Sequence, residues 1–221
     1  MARPLRIQSE DLHYHVIVRC NNRAFRFNAT EDFQIYLGLL KTVKEKHRFT
    51  LFNYELMHSH VHLFLRPSEK VPLQKTMNLI NGRYAVSYNK RYGRKGHFWM
   101  DRYKSIPVES DKHALDLMRY INRNAIRAGI VCKPGDWRWS GYRFYALGEA
   151  NNLLEAHPTY LGLHDDQKIR QQMFYDYVHQ ILPHENERRR DLSDSKCIGS
   201  KKFADRLGLS ANKNFRTIQN I

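Results

Sequence analysis

Two histidines separated by one valine are the residues whose spacing most directly suggests chemistry in this chain. His60 and His62 lie in a stretch that alternates polar with apolar residues, residues 54–67. Because successive side chains of an extended strand point to opposite faces, the two imidazoles share a face and stand about 7 Å apart. Two imidazoles arranged in this way can bind one metal ion. The same spacing also fits histidines that line a solvated sheet face and bind nothing.

The residues around these histidines predict the elements that support them. Val61, Leu63 and Leu65 would form a buried row on the opposite face of the strand. In chain order the periodicity predicts strand 13–20, helix 30–48, strand 49–57, the histidine strand, helix 72–93, strand 104–109 and a helix to about residue 128. This order predicts an α+β fold, a ferredoxin-like split βαβ arrangement with a mainly antiparallel sheet.

Local signals predict how these elements begin and connect. Thr30 would be the N-cap of the first helix, and Ser110-Asp111 would cap the last one. His58-Ser59 would form a tight turn into the histidine strand, although one continuous strand also fits the pattern.

The charge of the chain indicates its partners more than its fold. The 221 residues carry a formal net charge of +15 at pH 7. Such an excess of positive charge is typical of proteins that bind nucleic acids, and binding to an anionic membrane surface is the less favoured alternative. The 13 tyrosines and 11 phenylalanines would mostly be core residues, but some could stack on unpaired bases.

Cysteine usage and hydropathy exclude several classes of protein. Cys20, Cys132 and Cys197 are far apart and form no Cys-x-x-Cys motif, so neither a disulfide framework nor a thiolate zinc site is indicated. The N-terminus lacks the apolar run of a signal peptide, and no stretch approaches the ~18 apolar residues of a membrane helix. We therefore expect a cytoplasmic protein with reduced cysteines and no membrane partner.

Six positive charges accompany the helix that is predicted from Pro72, opposite its apolar stripe. They are Lys75, Arg83, Lys90, Arg91, Arg94 and Lys95, which we call the basic cluster. Such a run is often no more than a solvated helix face. With this net charge, contact with the phosphates of DNA is the alternative hypothesis.

Three separated stretches together resemble the single-tyrosine HUH transposases, and most closely the REP-associated tyrosine transposases. They are residues 14–23, residues 56–65 and residues 119–131. The resemblance covers about residues 8–147, which we expect to form the nuclease domain. Residues 148–221 would be a helical and basic C-terminal extension, partly disordered, that helps to select DNA or serves as a packed appendage.

The resemblance implies a nuclease that cuts and rejoins single-stranded DNA near an imperfect hairpin, in a protein associated with the bacterial nucleoid. His60 and His62 would hold Mg²⁺ or Mn²⁺, Asn124 would complete the metal site, and Tyr120 would attack the phosphate. The chain departs from the family in having His58-Ser59 in place of a proline-containing turn and Asn124-Ala125 in place of Asn-Pro. His58 stays open as a further ligand.

The chemistry that the resemblance implies is physically sound. A tyrosine hydroxyl with a pKa near 10 is a poor nucleophile at neutral pH, and a divalent cation on the scissile phosphate offsets the developing charge. Two imidazoles and one amide leave positions open on the ion, unlike a closed structural site. The products would be a 5′-phosphotyrosine and a free 3′-OH, and a second 3′-OH could then reseal the strand.

Other interpretations stay open at this point. A domesticated relative could bind hairpins without transposing, and a zinc hydrolase could use His58, His60 and His62, although no His-Glu-x-x-His motif is present. Tyr84 and Tyr103 are candidate nucleophiles that fit a core or stacking role better. The sequence leaves both a monomer and a homodimer possible.

Overall fold

One four-stranded antiparallel sheet, in the order β2-β3-β1-β4, organises the chain. The computed structural model describes residues 7, 9–110, 112–182 and 189–209. The strands are β1 (His13–Arg19), β2 (Thr50–Leu56), β3 (His60–Arg66) and β4 (Lys104–Val108). The helices are α1 (Thr30–His47), α2 (Leu73–Arg91), α3 (Lys112–Asn122), α4 (Asn124–Arg127), α5 (Tyr142–Leu147), α6 (Pro158–Leu161), α7 (Gln167–His179), α8 (Arg190–Ser193) and α9 (Lys201–Arg206).

The topology confirms the predicted ferredoxin-like α+β fold. Helix α1 connects β1 to β2 with β3 between them, and α2 connects β3 to β4 with β1 between them, which is the split βαβ arrangement. Crossovers of this kind are right-handed, so both helices lie on one face of the sheet. Their contact includes Tyr36 and Tyr84, whose ring centroids are 5.1 Å apart.

Helix α3 covers the other face of the sheet. The side chain of Asn53 on β2 donates to Asn122 on α3, at 3.2 Å. The register of β1 against β3 places Ile17 opposite His62 and Arg19 opposite His60. Strand alternation therefore puts the odd-numbered residues of β1 and the histidines of β3 on the face beneath α3.

Two of the sequence-based element boundaries need correction. The predicted N-cap Thr30 is the first residue of α1 itself, and the carboxylate of Asp32 accepts the N–H of Ala29 at 3.0 Å. The helix predicted to run to residue 128 is interrupted at Arg123, which separates α3 from α4. The guanidinium of Arg123 donates to the Val178 carbonyl at 2.6 Å, so the break is tied to packing against α7.

The connection between β2 and β3 is the tight turn at His58-Ser59. The N–H of Met57 donates to the His60 carbonyl at 2.8 Å, which closes the turn. The hairpin, and not one continuous strand, therefore delivers His60 and His62 to the sheet.

The chain beyond residue 147 packs on the same core. The buried side chains of Phe174, Val178, Leu192 and Ile198 belong to one apolar cluster with the sheet. Ile198 also forms a parallel bridge with Val108 at the outer edge of β4. The predicted cap at Asp111 and the predicted disorder of residues 211–221 lie outside the described residues, as do residues 186–188 of the charged segment 186–191.

No helix in the described part of the chain is long and apolar enough to cross a membrane. Cys20, Cys132 and Cys197 are all free thiols.

Candidate active site

A cavity of about 320 Å³ opens on the sheet face beneath α3. All four residues that the sequence predicted for catalysis and metal binding line it, namely His60, His62, Tyr120 and Asn124. Three arginines and Ser193 also contribute to its wall. The fold thus brings residues from β1, β3, α3, α4 and α8 to one place.

The two strand histidines face the cavity from β3. Their ring centroids are 4.9 Å apart and their planes are nearly perpendicular, at 81°. His62 is 2% exposed, and this burial, with a further contribution from the charge of His60, lowers the pKa of His62 well below its usual value. His62 is therefore neutral at neutral pH, which is the form of imidazole that binds metals.

A third histidine, His15, lies behind His62 and was not predicted. Its ring stacks on that of His62 with centroids 5.0 Å apart, and its Nε2 lies 2.8 Å from Nδ1 of His62. Burial lowers the pKa of His15 to about 3. The signal in the sequence was the alternation of His13 and His15, but its meaning depends on the register of β1 against β3.

Tyr120 reaches the same cavity from α3. Its ring stands edge-on to His62, with centroids 5.8 Å apart, and to His15, with centroids 6.1 Å apart. The neighbouring Leu117, Met118 and Ile121 are fully buried beneath the helix. The tyrosine is therefore presented from a rigid element and is itself only 7% exposed.

Arg127 connects Tyr120 to Asn124. One of its guanidinium nitrogens donates to the carbonyl of Tyr120 at 2.7 Å and to Oδ1 of Asn124 at 2.5 Å. The guanidinium carbon lies 4.2 Å from the centroid of the Tyr120 ring. Tyr120 lies in the last turn of α3 and Asn124 begins α4. Arg127 therefore holds the two residues close together, which one continuous helix was expected to do.

Glu55 supports the start of α4 from below. Its Oε1 accepts the N–H of Ala125 at 3.1 Å, and the register of the hairpin places Glu55 opposite His62. Because the carboxyl group is fully buried, its pKa is raised to about 8, although the Ala125 N–H and the charge of Arg127 oppose this shift. Glu55 does not line the cavity; it holds the backbone that carries Asn124.

Two further arginines, Arg19 and Arg23, line the cavity from β1 and the turn after it. Arg23 and the preceding Asn22 both adopt left-handed backbone conformations, with φ of 52° and 56°. Such conformations are uncommon for residues other than glycine and are concentrated at functional sites. With Arg127 these residues give the cavity a positive charge suited to a phosphate group.

His58 does not share the site of the other two histidines. Its Nδ1 donates to the Phe27 carbonyl at 2.5 Å, and its ring packs between Phe25 and Trp137. Among the described residues, no three His, Cys, Asp or Glu side chains are grouped so that they could hold a metal ion. The arrangement therefore gives no support to a three-histidine zinc hydrolase.

The donor set of the cavity fits a divalent ion bound in an open site. It offers two imidazoles and the second lone pair of the Asn124 amide oxygen, whose other lone pair accepts from Arg127. The remaining positions on the ion stay free for phosphate oxygens and water. The neutral state of His62 leaves a ring nitrogen for coordination. His60, His62 and Asn124 are the residues that could hold such an ion.

The basic cluster lies apart from the cavity. None of its residues lines the cavity wall, and α2 packs on the opposite face of the sheet. Lys75, Arg83 and Lys90 lie on the surface of α2, while Arg91 pairs with Glu31 at 3.1 Å. Arg94 is partly buried beside the ring of Tyr88.

The other tyrosines considered as nucleophiles are core residues. Tyr84 is 1% exposed and stacks on Phe27 with ring centroids 5.0 Å apart, and Tyr103 is also buried. Neither lines the cavity.

Comparison with known proteins agrees with the fold. A search of curated proteins gave no match. The structure of a REP-associated tyrosine transposase bound to a REP hairpin is similar to this chain, with a TM-score of 0.57 and 17% identity. That match covers 72% of this chain and 93% of the other.

A candidate transposase from Deinococcus radiodurans R1 is also similar, at 17% identity. The match covers 56% of this chain and 95% of the other, with a TM-score of 0.39. The sequence model of the family described as "Transposase IS200 like" matches residues 8–124, which include both strand histidines, Tyr120 and Asn124. The chain belongs to this family, the IS200-like transposases.

Proposed function

We propose that this protein is a metal-dependent DNA strand transferase that cuts and rejoins single-stranded DNA beside a hairpin. Tyr120 is the nucleophile, and the reaction passes through a 5′-phosphotyrosine. Membership of the transposase family supports DNA cleavage in general. The residues of the cavity support this particular chemistry.

The observation that carries the proposal is the convergence of two kinds of group on one cavity. A buried tyrosine on a rigid helix and two strand histidines line it together with Asn124. Three arginines, from the end of β1 with its turn and from α4, surround them. Hydrolysis by an activated water would not need the tyrosine, and DNA binding alone would not need the buried histidines.

In the cleavage step, residues of the chain bind the phosphate and supply the nucleophile. Arg19 and Arg23 would bind the oxygens of the scissile phosphate and orient it towards Tyr120. Oη of Tyr120 forms a bond to phosphorus, the bond from phosphorus to O3′ breaks, and the departing 3′-oxygen takes a proton from solvent. The phenolic proton passes to solvent at the cavity mouth.

Arg127 keeps the two halves of the site in register during this step. Its bonds to the Tyr120 carbonyl and to Asn124 hold the end of α3 against the start of α4. A divalent ion held by His60, His62 and Asn124 would stabilise the negative charge that develops on the phosphate. Because the phosphotyrosine bond retains the energy of the phosphodiester, a different 3′-OH can displace Tyr120 and reseal DNA.

The substrate class follows from the charge of the chain and from its structural neighbour. A net charge of +15 favours a polyanion. The solved relative with the same fold is bound to a REP hairpin. A hairpin with a single-stranded flank is therefore the DNA that we assign to this protein.

Cleavage of an end-labelled hairpin oligonucleotide tests the metal requirement. Wild-type protein should cut the single-stranded flank with Mg²⁺ and at least as well with Mn²⁺, since imidazole ligands favour the transition metal. EDTA should abolish the cut. His60→Ala should abolish cleavage and weaken Mn²⁺ binding while largely preserving hairpin binding.

His58→Asn is the matched control. It changes a histidine two residues away that does not line the cavity, and asparagine can still donate to the Phe27 carbonyl. This variant should retain metal-dependent cleavage. Full activity of His60→Ala in EDTA would refute a role for a metal ion.

A further inference from the structure

A chain of buried hydrogen bonds joins the C-terminal region to the imidazole of His62. Nε2 of His15 lies 2.8 Å from Nδ1 of His62, and Nδ1 of His15 lies 2.8 Å from the carbonyl oxygen of Leu192. His15 is 0% exposed and His62 is 2% exposed. Water therefore cannot compete for either bond.

The carbonyl at the end of this chain determines every donor and acceptor in it. A carbonyl oxygen can only accept, so Nδ1 of His15 carries a hydrogen. Both rings are buried and the hydrogen-bond chain contains no carboxylate that would balance a positive charge, so each ring is neutral and has one N–H. Nε2 of His15 therefore accepts, Nδ1 of His62 donates, and Nε2 of His62 keeps a free lone pair.

The segment that carries the carbonyl of Leu192 packs against the core and against β4. The side chains of Leu192 and Ile198 are 0% exposed. The N–H of Ile198 donates to Pro107, and the N–H of Glu109 donates to the carbonyl of Ile198, both at 2.8 Å. Ser193, the residue after Leu192, lines the cavity. All of α8 lies beyond residues 8–124, the part of the chain that the family's sequence model matches.

We propose that His15 is a positioning residue for the metal site and that the backbone carbonyl of Leu192 sets its orientation. The proposal rests on the proposed function in one respect, that His62 is a metal ligand. His15 holds the ring of His62 in the tautomer that presents the lone pair of Nε2 for coordination. The C-terminal region thereby supports the metal site through a backbone carbonyl, in addition to lining the cavity with Ser193.

A partner of this kind affects metal binding without touching the metal. Second partners of ligating histidines fix the tautomer and the ring orientation, and their loss costs about 10- to 100-fold in metal affinity or activity. This sets the size of the effect that removal of His15 should have.

Three substitutions at position 15 of the full-length protein separate the two bonds. His15→Phe keeps a ring and removes both nitrogens. His15→Gln places an oxygen near the former Nε2, where it can accept from His62. His15→Asn places its amide near the former Nδ1, where it can donate to Leu192 but cannot reach His62.

Two measurements report on these variants besides catalysis. Long-range ¹H–¹⁵N correlation spectra of the ¹⁵N-histidine-labelled, metal-free protein distinguish the Nδ1–H tautomer from the Nε2–H tautomer. Titration with Mn²⁺ alone, followed by electron paramagnetic resonance, gives the metal affinity. In the wild type, His62 should appear as the Nδ1–H tautomer.

We expect His15→Phe and His15→Asn to lose this single tautomer and to bind Mn²⁺ about 10- to 100-fold more weakly. His15→Gln should restore the tautomer and most of the affinity. His13→Phe is the matched control, because His13 lies on the same face of β1 but bonds to His157. That variant should leave the tautomer of His62 and the Mn²⁺ affinity unchanged.

The same titration separates this inference from the proposed function. If His60→Ala weakens Mn²⁺ binding but His15→Phe and His15→Asn do not, the positioning role of His15 is wrong and the metal site stands. If His60→Ala leaves Mn²⁺ binding unchanged, the metal site itself is wrong. An Nε2–H tautomer of His62 in the wild-type protein overturns the inference without any variant.

Discussion

His13 and His157 form a second buried histidine pair on the sheet face that carries the candidate active site. Nε2 of His157 lies 3.0 Å from Nδ1 of His13, and Nδ1 of His157 accepts the N–H of Thr159. Nε2 of His157 is therefore the donor within the pair. The bond ties a residue beyond position 147 to the central strand β1.

This pair makes stability depend on pH in a direction that can be worked out. Burial, with a contribution from the charge of Arg66, lowers the pKa of His13 to about 4, and burial lowers the pKa of His157 to about 3. Both lie below the value near 6.5 of the unfolded chain, so the unfolded chain binds more protons in this window. The free energy of unfolding that the burial of this pair contributes is therefore complete above about pH 6.5 and decreases as the pH falls towards 4.

We predict that His157→Gln weakens this dependence. Between pH 7 and pH 5 one such histidine costs roughly 2 kcal/mol of unfolding free energy, so the variant should lose that much less than the wild type. Urea unfolding at the two pH values measures the difference. His97→Gln, at an exposed position, should behave as the wild type does. Equal dependence in wild type and His157→Gln would contradict the assignment.

At the residue scale, alternation along β3 was enough to predict that His60 and His62 share a face. It could not predict His15, because its role depends on the pairing register between two strands 47 residues apart. Arg127 was missed because its contacts follow from the break between α3 and α4. Residue type and spacing found the residues proposed for the chemistry, but not those that position them.

The interrupted helix is the feature at the element scale that shapes the site. A continuous helix would place Tyr120 and Asn124 one turn apart on a common flank. The break at Arg123 and the bond from Ala125 to Glu55 begin a new helix at Asn124 instead. The two residues still line one cavity, because Arg127 bridges them.

The surface of helix α2 carries most of the basic cluster, and contact of this surface with DNA is a prediction. Its basic cluster is mostly on the surface and lies on the face of the sheet opposite the cavity. We predict that it binds the duplex part of the hairpin through phosphates. Arg83→Ala combined with Lys90→Ala should reduce the log–log salt slope of hairpin binding by about 0.7–0.9 for each phosphate that the variant no longer neutralises.

The control for this double variant removes the same charge from the neighbouring helix. Lys41→Ala combined with Lys46→Ala changes two exposed lysines of α1. Thermal stability should be nearly unchanged in both double variants, since all four side chains lie on the surface. If the salt slopes of both variants equal that of the wild type, the basic cluster does not contact DNA.

At the scale of the whole molecule, the order of elements as far as residue 128 could be predicted because the strands and helices of that part have a hydrophobic period. The fold class followed from that order, since few topologies accept it. The packing of the C-terminal region could not be predicted, because its contacts join residues far apart in sequence, such as His15 with Leu192. A local sequence pattern cannot predict a hydrogen bond between a side chain and a carbonyl 177 residues away.

The division of the chain into two domains at residue 147 stays a prediction. One apolar core contains residues from both sides of that position. Leu192 and Phe174 are fully buried with the sheet, and Lys104 of β4 is bonded to Asp194. From the sequence we expect a C-terminal region that helps to select DNA or serves as a packed appendage. The contacts indicate that shortening the chain before Leu192 would disturb both the core and the support of His62.

The central claim is that Tyr120 becomes covalently attached to the 5′ end of cut DNA, and the most direct measurement is peptide mapping of that adduct. Wild-type protein incubated with a hairpin oligonucleotide and Mn²⁺ should give a species that resists denaturation. Mass spectrometry should place the attachment on Tyr120. Tyr120→Phe, which removes only the oxygen, should fold, bind the hairpin and form no adduct. An adduct on Tyr84 or Tyr103, or one that persists in Tyr120→Phe, would contradict the account.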